Sequence, residues 1–104
     1  MSRGPDAATL LARALTASAE AAGCPVAIGE ADWSRWASAT FTGARHVLCL
    51  SAAPSPALIA WIAGLPEAEF ALRGHLVADL SVTAVRHGGA EIAMELEALT
   101  VEER

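Results

Sequence analysis

Apolar and polar residues alternate along the last third of the chain more regularly than anywhere else. Phe70, Leu72, Gly74, Leu76, Ala78, Leu80, Val82 and Ala84 fall on one side of an extended backbone, and Ala71, Arg73, His75, Val77, Asp79, Ser81, Thr83 and Val85 on the other. This is the period-two spacing of a strand with one buried face. Ile92, Met94, Leu96 and Ala98 continue it in a second strand. A loop over His87 to Gly89, whose glycines accept the backbone angles of a tight turn, aligns the two apolar faces by pairing Ala84 with Ile92, Val82 with Met94 and Leu80 with Leu96. The same register sets Asp79 opposite Glu97, a like-charged pair that a cation, an arginine, a neighbouring chain or a slipped register must relieve. A straight strand over 68–86 would run about 60 Å at 3.3 Å per residue, too long for a domain of this size. The chain must bend there, and Gly74 is the expected bulge.

Ahead of this hairpin the periodicity changes. In "PDAATLLARALTASAEAAGCP" the stripe Leu10, Leu11, Ala14 and Leu15, with Asp6 before it and Gly23 and Pro25 after it, predicts a capped helix. "SPALIAWIAGLP" predicts a shorter one over 56–63, with Ser55 as cap and Pro56 at its first position. Between them "PVAIGEA" reads as a short strand, and "WASATF" with "HVLCLSA" as a hairpin turning at Gly43 to Arg45. Asp32 is expected to close a local turn that sets Trp33 and Trp36 near each other. The order α-β-(β)-β-α-β-β predicts one α+β domain over 1–104. It is a two-layer sandwich with both helices on one face of an antiparallel sheet of four or five strands.

Composition qualifies the core. Apolar residues make up 54% of the 104, but 25 are alanine, which buries little area. Leu10, Leu11, Leu15, Trp61, Phe70, Leu76, Leu80, Met94 and Leu96 must define the packing. Lys, Asn, Gln and Tyr are absent and all seven basic residues are Arg, the usage expected of a GC-rich bacterial source. A net charge of -5 without a basic cluster repels phosphate backbones and anionic lipid, so neither nucleic acid nor membrane is an expected partner. The opening residues lack the layout of a signal peptide and "ALIAWIAGL" is too short to span a bilayer, which makes a cytoplasmic location the expectation. Cys24 and Cys49 lack both CxxC spacing and disulfide density and read as free thiols.

"TFTGARH" at 40–46 returns as "SVTAVRH" at 81–87, and an offset of 41 gives eight identities over 22–46. This suggests a duplicated helix-plus-strands unit. The repeated pairs Arg45–His46 and Arg86–His87, with Trp33, Arg35 and Trp36, form the candidate ligand site, since Arg and His grip anions and indoles stack. No catalytic residue, metal set or cofactor is predicted: the residues show none of the usual catalytic signatures, and His46, His75, His87, the cysteines, Asp79 and Glu97 lack ligand spacing.

The polar side of the last hairpin is unusually rich in branched aliphatics. His75, Val77, Asp79, Val85, Glu97, Leu99 and Val101 make a mixed outward face expected to meet a second copy or another protein. In element order, size and acidity the chain resembles secretion-chaperone dimers, a resemblance of fold with no motif behind it. The expected function is that of a homodimeric interaction, adaptor or chaperone-like module without catalysis. Its rival is an anion-binding protein or enzyme using the Arg and His pairs near Trp33 and Trp36.

Overall fold

The computed structural model describes residues 6–103. Helix α1, Ala7–Ala21, starts where the Asp6 side chain accepts a 2.9 Å hydrogen bond from the Thr9 amide, and it buries Ala7, Leu11, Leu15 and Ala19, one position per turn. Helix α2, Pro56–Gly64, is capped by Ser55 through the Leu58 amide at 3.0 Å and buries Leu58 and Trp61. The Trp61 indole Nε1–H donates to Ser18 Oγ at 2.9 Å, which ties the two helices together. A 3-10 turn, Leu65–Glu67, follows α2.

Strands β1 (Ala27–Ala37), β2 (Thr42–Ala52), β3 (Ala71–Leu72), β4 (His75–Gly88) and β5 (Glu91–Glu102) form one antiparallel sheet in the order β1-β2-β5-β4-β3. Both helices lie on one face. There Leu11, Leu15, Leu58 and Trp61 join Leu48, Leu50, Leu80, Ile92, Met94 and Leu96 in a single buried cluster. The α+β class and the antiparallel sheet with helices on one side are as expected, but the short strand expected in 25–31 is part of β1, and the fifth strand, β3, follows α2, so the order is α-β-β-α-β-β-β. No helix among the described residues is long and apolar enough to cross a membrane.

Several local expectations are corrected. The first hairpin turns at residues 38–41, not at Gly43 to Arg45. Ser38 Oγ accepts from the Thr40 and Phe41 amides, and the Ser38 amide donates to the Phe41 carbonyl, so a serine side chain supplies what a glycine was expected to. Trp33 and Trp36 are not gathered by a turn. Both lie in β1, three residues apart and so on opposite faces, although Asp32 does bond locally, accepting from the Trp33 amide at 2.9 Å.

The last hairpin turns through Gly89 and Ala90, with Gly88 opposite Glu91 and Gly89 at φ +61°. Two register shifts, between Val77 and Asp79 and between Val82 and Ala84, then set Leu80 opposite Ala98 and Val82 opposite Leu96. Each extra residue turns the following strand over. Asp79 therefore faces Leu99, not Glu97, whose partner is Ser81, and the expected carboxylate clash does not arise. The bend expected at Gly74 is real but is a tight turn: at φ +82° it separates β3 from β4, where Leu72 pairs with His75.

The topology repeats a helix followed by a hairpin, and the order β1-β2-β5-β4 places the two hairpins symmetrically about the β2–β5 contact. The 41-residue offset does not mark that symmetry. It aligns His46, near the start of β2, with His87, near the end of β4.

Candidate functional site

Two surfaces carry the residues singled out by the sequence. The first is the sheet face away from the helices, which no described element covers. Asp32, Val47, Glu97 and Ser81 stand side by side across β1, β2, β5 and β4. In the neighbouring row Arg45 pairs with Leu99, and Leu99 with Asp79. Toward one end Val101 pairs with Leu76, and with Phe41 and Thr42 they line a shallow depression. Leu76 and Phe41 are each 54% exposed, although alternation alone would have buried Leu76. The bulge at Ala78 is what sends it outward.

Of the expected partner face, Asp79, Glu97, Leu99 and Val101 lie here. His75, Val77 and Val85 do not. They pair with Glu102, Thr100 and Met94 on the helix side, because the two bulges reverse β4 on either side of Leu80 and Val82. Glu95 and Glu97 are half-buried beside half-buried Val47, Cys49, Leu99 and Val101. Arg45 and Arg86 also sit on this outer face, opposite Leu99 and Ala93.

The second is a cavity of about 150 Å³ between the start of α1 and the sheet, lined by Asp6, Trp33, Arg35, His46, His75, Thr100 and Glu102 among others. It joins three of the proposed ligand residues, Trp33, Arg35 and His46, to a histidine expected elsewhere. Trp36 is on the other face, packed over Gly43. His87 pairs with Ile92, six residues along β5 from the Ala98 that pairs with His46, a separation of about 20 Å at strand rise. The two Arg–His pairs therefore do not converge.

His46, 2% exposed, is held by Thr100, which is fully buried: His46 Nε2 lies 2.9 Å from Thr100 Oγ1, which itself lies 3.4 Å from the Ala44 carbonyl. A hydroxyl has one proton. Donated to Ala44, it leaves Thr100 Oγ1 to accept from His46 Nε2–H; donated to His46 Nε2, it requires the ring proton on Nδ1. Burial pushes the His46 pKa below 6.5, the Asp6 charge opposes that shift and His75 adds to it. Thr100 is in phase with the buried Ile92, Met94, Leu96 and Ala98, so alternation signals its burial, but the 54 residues between it and His46 hide the pairing. Among the described residues His75 Nδ1 and Trp36 Nε1 are buried without a partner.

Among the described residues that line the cavity Thr100 carries the one hydroxyl, and it is buried between His46 Nε2 and the Ala44 carbonyl. No three His, Cys, Asp or Glu among the described residues could hold a metal. Both cysteines are free; burial raises the Cys24 thiol, and Cys49 is half-buried on the outer face.

The His46 site predicts a pH dependence. The folded pKa lies below the unfolded value, so the unfolded chain binds more protons and stability is lost as pH falls below 6.5 toward the folded pKa. Asp6, also lowered, through the Thr9 bond, adds its loss only as pH falls below 3.8. Chemical denaturation between about pH 7.5 and 5 should show the falling midpoint, and His46→Gln should flatten that profile. An unchanged slope in the variant would assign the effect to another group.

The sequence matches no protein-family model and no curated protein. Among solved structures it resembles a chain from one described as "Virion of native gene transfer agent (GTA) particle", with a TM-score of 0.57 and 19% identity over 99% of this chain and 75% of that one. The likeness is one of fold.

Proposed function

We propose that this chain is a non-catalytic structural subunit that works by assembling with protein, first of all with copies of itself, as part of a larger particle. One observation carries the reading: a five-stranded sheet covered by helices on one side only, whose other face carries Val47, Leu99, Val101, Leu76 and Phe41 among carboxylates. A sheet face of that composition gains by meeting a second surface. The shared fold with a chain of a gene transfer agent virion is in keeping with such a role.

Sedimentation velocity of the full chain from low to high micromolar should show assemblies larger than one chain, weakened by Leu99→Arg without loss of the folded circular-dichroism spectrum. A monomer throughout that range overturns the reading.

The rival, a small-ligand site, draws on the cavity around His46 and His75. Its lining sets Asp6 and Glu102 against Arg35, a balance that disfavours the anion expected from the sequence. The cavity is better read as the polar seam by which α1 is seated on the sheet.

A further inference from the structure

The sheet ends on one side in β3, two residues long, and on the other in β1, eleven residues long. From Gly29 to Arg35 β1 is exposed, Trp33 to 52%, and among the described residues no strand pairs with its outer edge. A long open edge with no proline or lysine is a template for another strand.

The backbone fixes which groups point outward. The Ser38 amide donates to the Phe41 carbonyl, and the register 37 with 42, 35 with 44, 33 with 46 and 31 with 48 runs unbroken from there. Alternation along an antiparallel ladder then turns the N–H and C=O groups of Ala31, Trp33, Arg35 and Ala37 away from β2, toward solvent. The Asp32 carboxylate holding the Trp33 amide at 2.9 Å agrees, since that amide has no strand partner.

We propose that β1 pairs with β1 of a second copy, antiparallel and centred on Ser34, joining two sheets into one of ten strands. This deepens the assembly reading and rests on it. The centre follows from the sequence. A two-fold axis perpendicular to the sheet keeps the helices of both copies on one side, so paired residues must share a face and their numbers must sum to an even value. A sum of 64 sets Asp32 against itself. A sum of 66 stacks Trp33 on Trp33 and leaves Arg35 opposite Ala31.

A sum of 68 sets Trp33 opposite Arg35 of the second copy, twice, so that each guanidinium meets an indole. It also uses the regular stretch 31–37 in full, giving about eight new backbone hydrogen bonds from four hydrogen-bonded pairs. The irregularity between Ile28 and Ala31, next to the Glu30 charge, ends the ladder there and limits the edge to one partner.

The test is sedimentation velocity of the full chain with Trp33→Arg, Arg35→Pro and the double variant Trp33→Arg/Arg35→Glu. Trp33→Arg places arginines opposite each other and should weaken association about tenfold or more. The double variant restores opposite charges and should recover most of it. Arg35→Pro removes only an outward amide, which an edge strand tolerates, and should leave a folded monomer.

Amide exchange at Trp33 and Arg35 should slow with concentration in the wild type, because no strand of the same chain protects them. Association unchanged by Trp33→Arg and Arg35→Pro overturns the pairing while leaving the assembly reading standing, in which case Leu99→Arg remains the variant that disrupts it. A wild type that stays monomeric, with both amides exchanging freely, overturns the two together.

Discussion

Replacing Gly43 with alanine is expected to cost about 3 kcal/mol or more, a large part of the roughly 5–15 kcal/mol that holds a domain of this size together. Gly43 sits in β2 between Trp36 on β1 and Val101 on β5. A Cβ built there lies 2.9 Å from the Thr100 carbonyl carbon, closer still to its oxygen, and 3.0 Å from Trp36 Cε2. Backbone cannot yield as the end of a side chain can, so β2 must separate from β5 or the Trp36 ring must leave its place. Either movement disturbs the neighbouring His46–Thr100 pair. The control is Gly64→Ala at the end of α2, where a new Cβ meets nothing within 4 Å and helix propensity should raise stability by about 0.5–1 kcal/mol. Urea denaturation of the two variants against the wild type gives both numbers. A cost at Gly43 below that of an ordinary surface change would mean that the three strands are not drawn as tightly together as described.

Gly43 also shows where the sequence was legible and where it was not. Read alone, Gly43-Ala44-Arg45 has the composition of a turn. The glycine is instead required by close approach inside a strand, and the turn belongs to Ser38, whose hydroxyl serves two amides. Local devices that act within a few residues were readable: the Asp6 and Ser55 caps, Pro56 at the start of α2, and the stripe that buries Leu11 and Leu15. Leu80, Met94 and Leu96 lie on the buried face that alternation predicts, because the period survives locally.

What failed is the long-range phase. The two irregularities in β4 fall at Ala78 and Thr83, residues with no mark of a bulge, and each reverses the strand beyond it. His75, Val77 and Val85 moved from the expected outer face to the helix side for this reason, and Leu76 moved the other way. The candidate site was divided in the same manner. Trp33, Arg35 and His46 share a cavity, but the His75 and Thr100 that complete it come from β4 and β5, through a register that composition and spacing do not encode.

Leu96 and Leu99 put the distinction between fold and function on a single strand. Both are leucines of β5, three residues apart and so on opposite faces. Leu96 is fully buried between Leu48 and Val82 under the helices. Leu96→Ala should cost about 2–5 kcal/mol, the lost transfer energy together with a cavity that flanking strands cannot close. In a domain whose core is short of large side chains, that brings the unfolded fraction within reach of measurement at room temperature.

Leu99 is half-buried between Arg45 and Asp79 on the uncovered face, where truncation removes little packing within the chain, and Leu99→Ala should change stability by under about 1 kcal/mol. Its effect should appear instead in association, as a shift of the sedimentation isotherm at unchanged unfolding midpoint. The pair of variants separates two demands on one strand: the inner leucine holds the sheet to its helices, and the outer one is kept apolar for a surface that lies outside the chain. Equal unfolding costs at the two positions would show that the outer face is already buried within the monomer, and that the partner surface must be sought elsewhere.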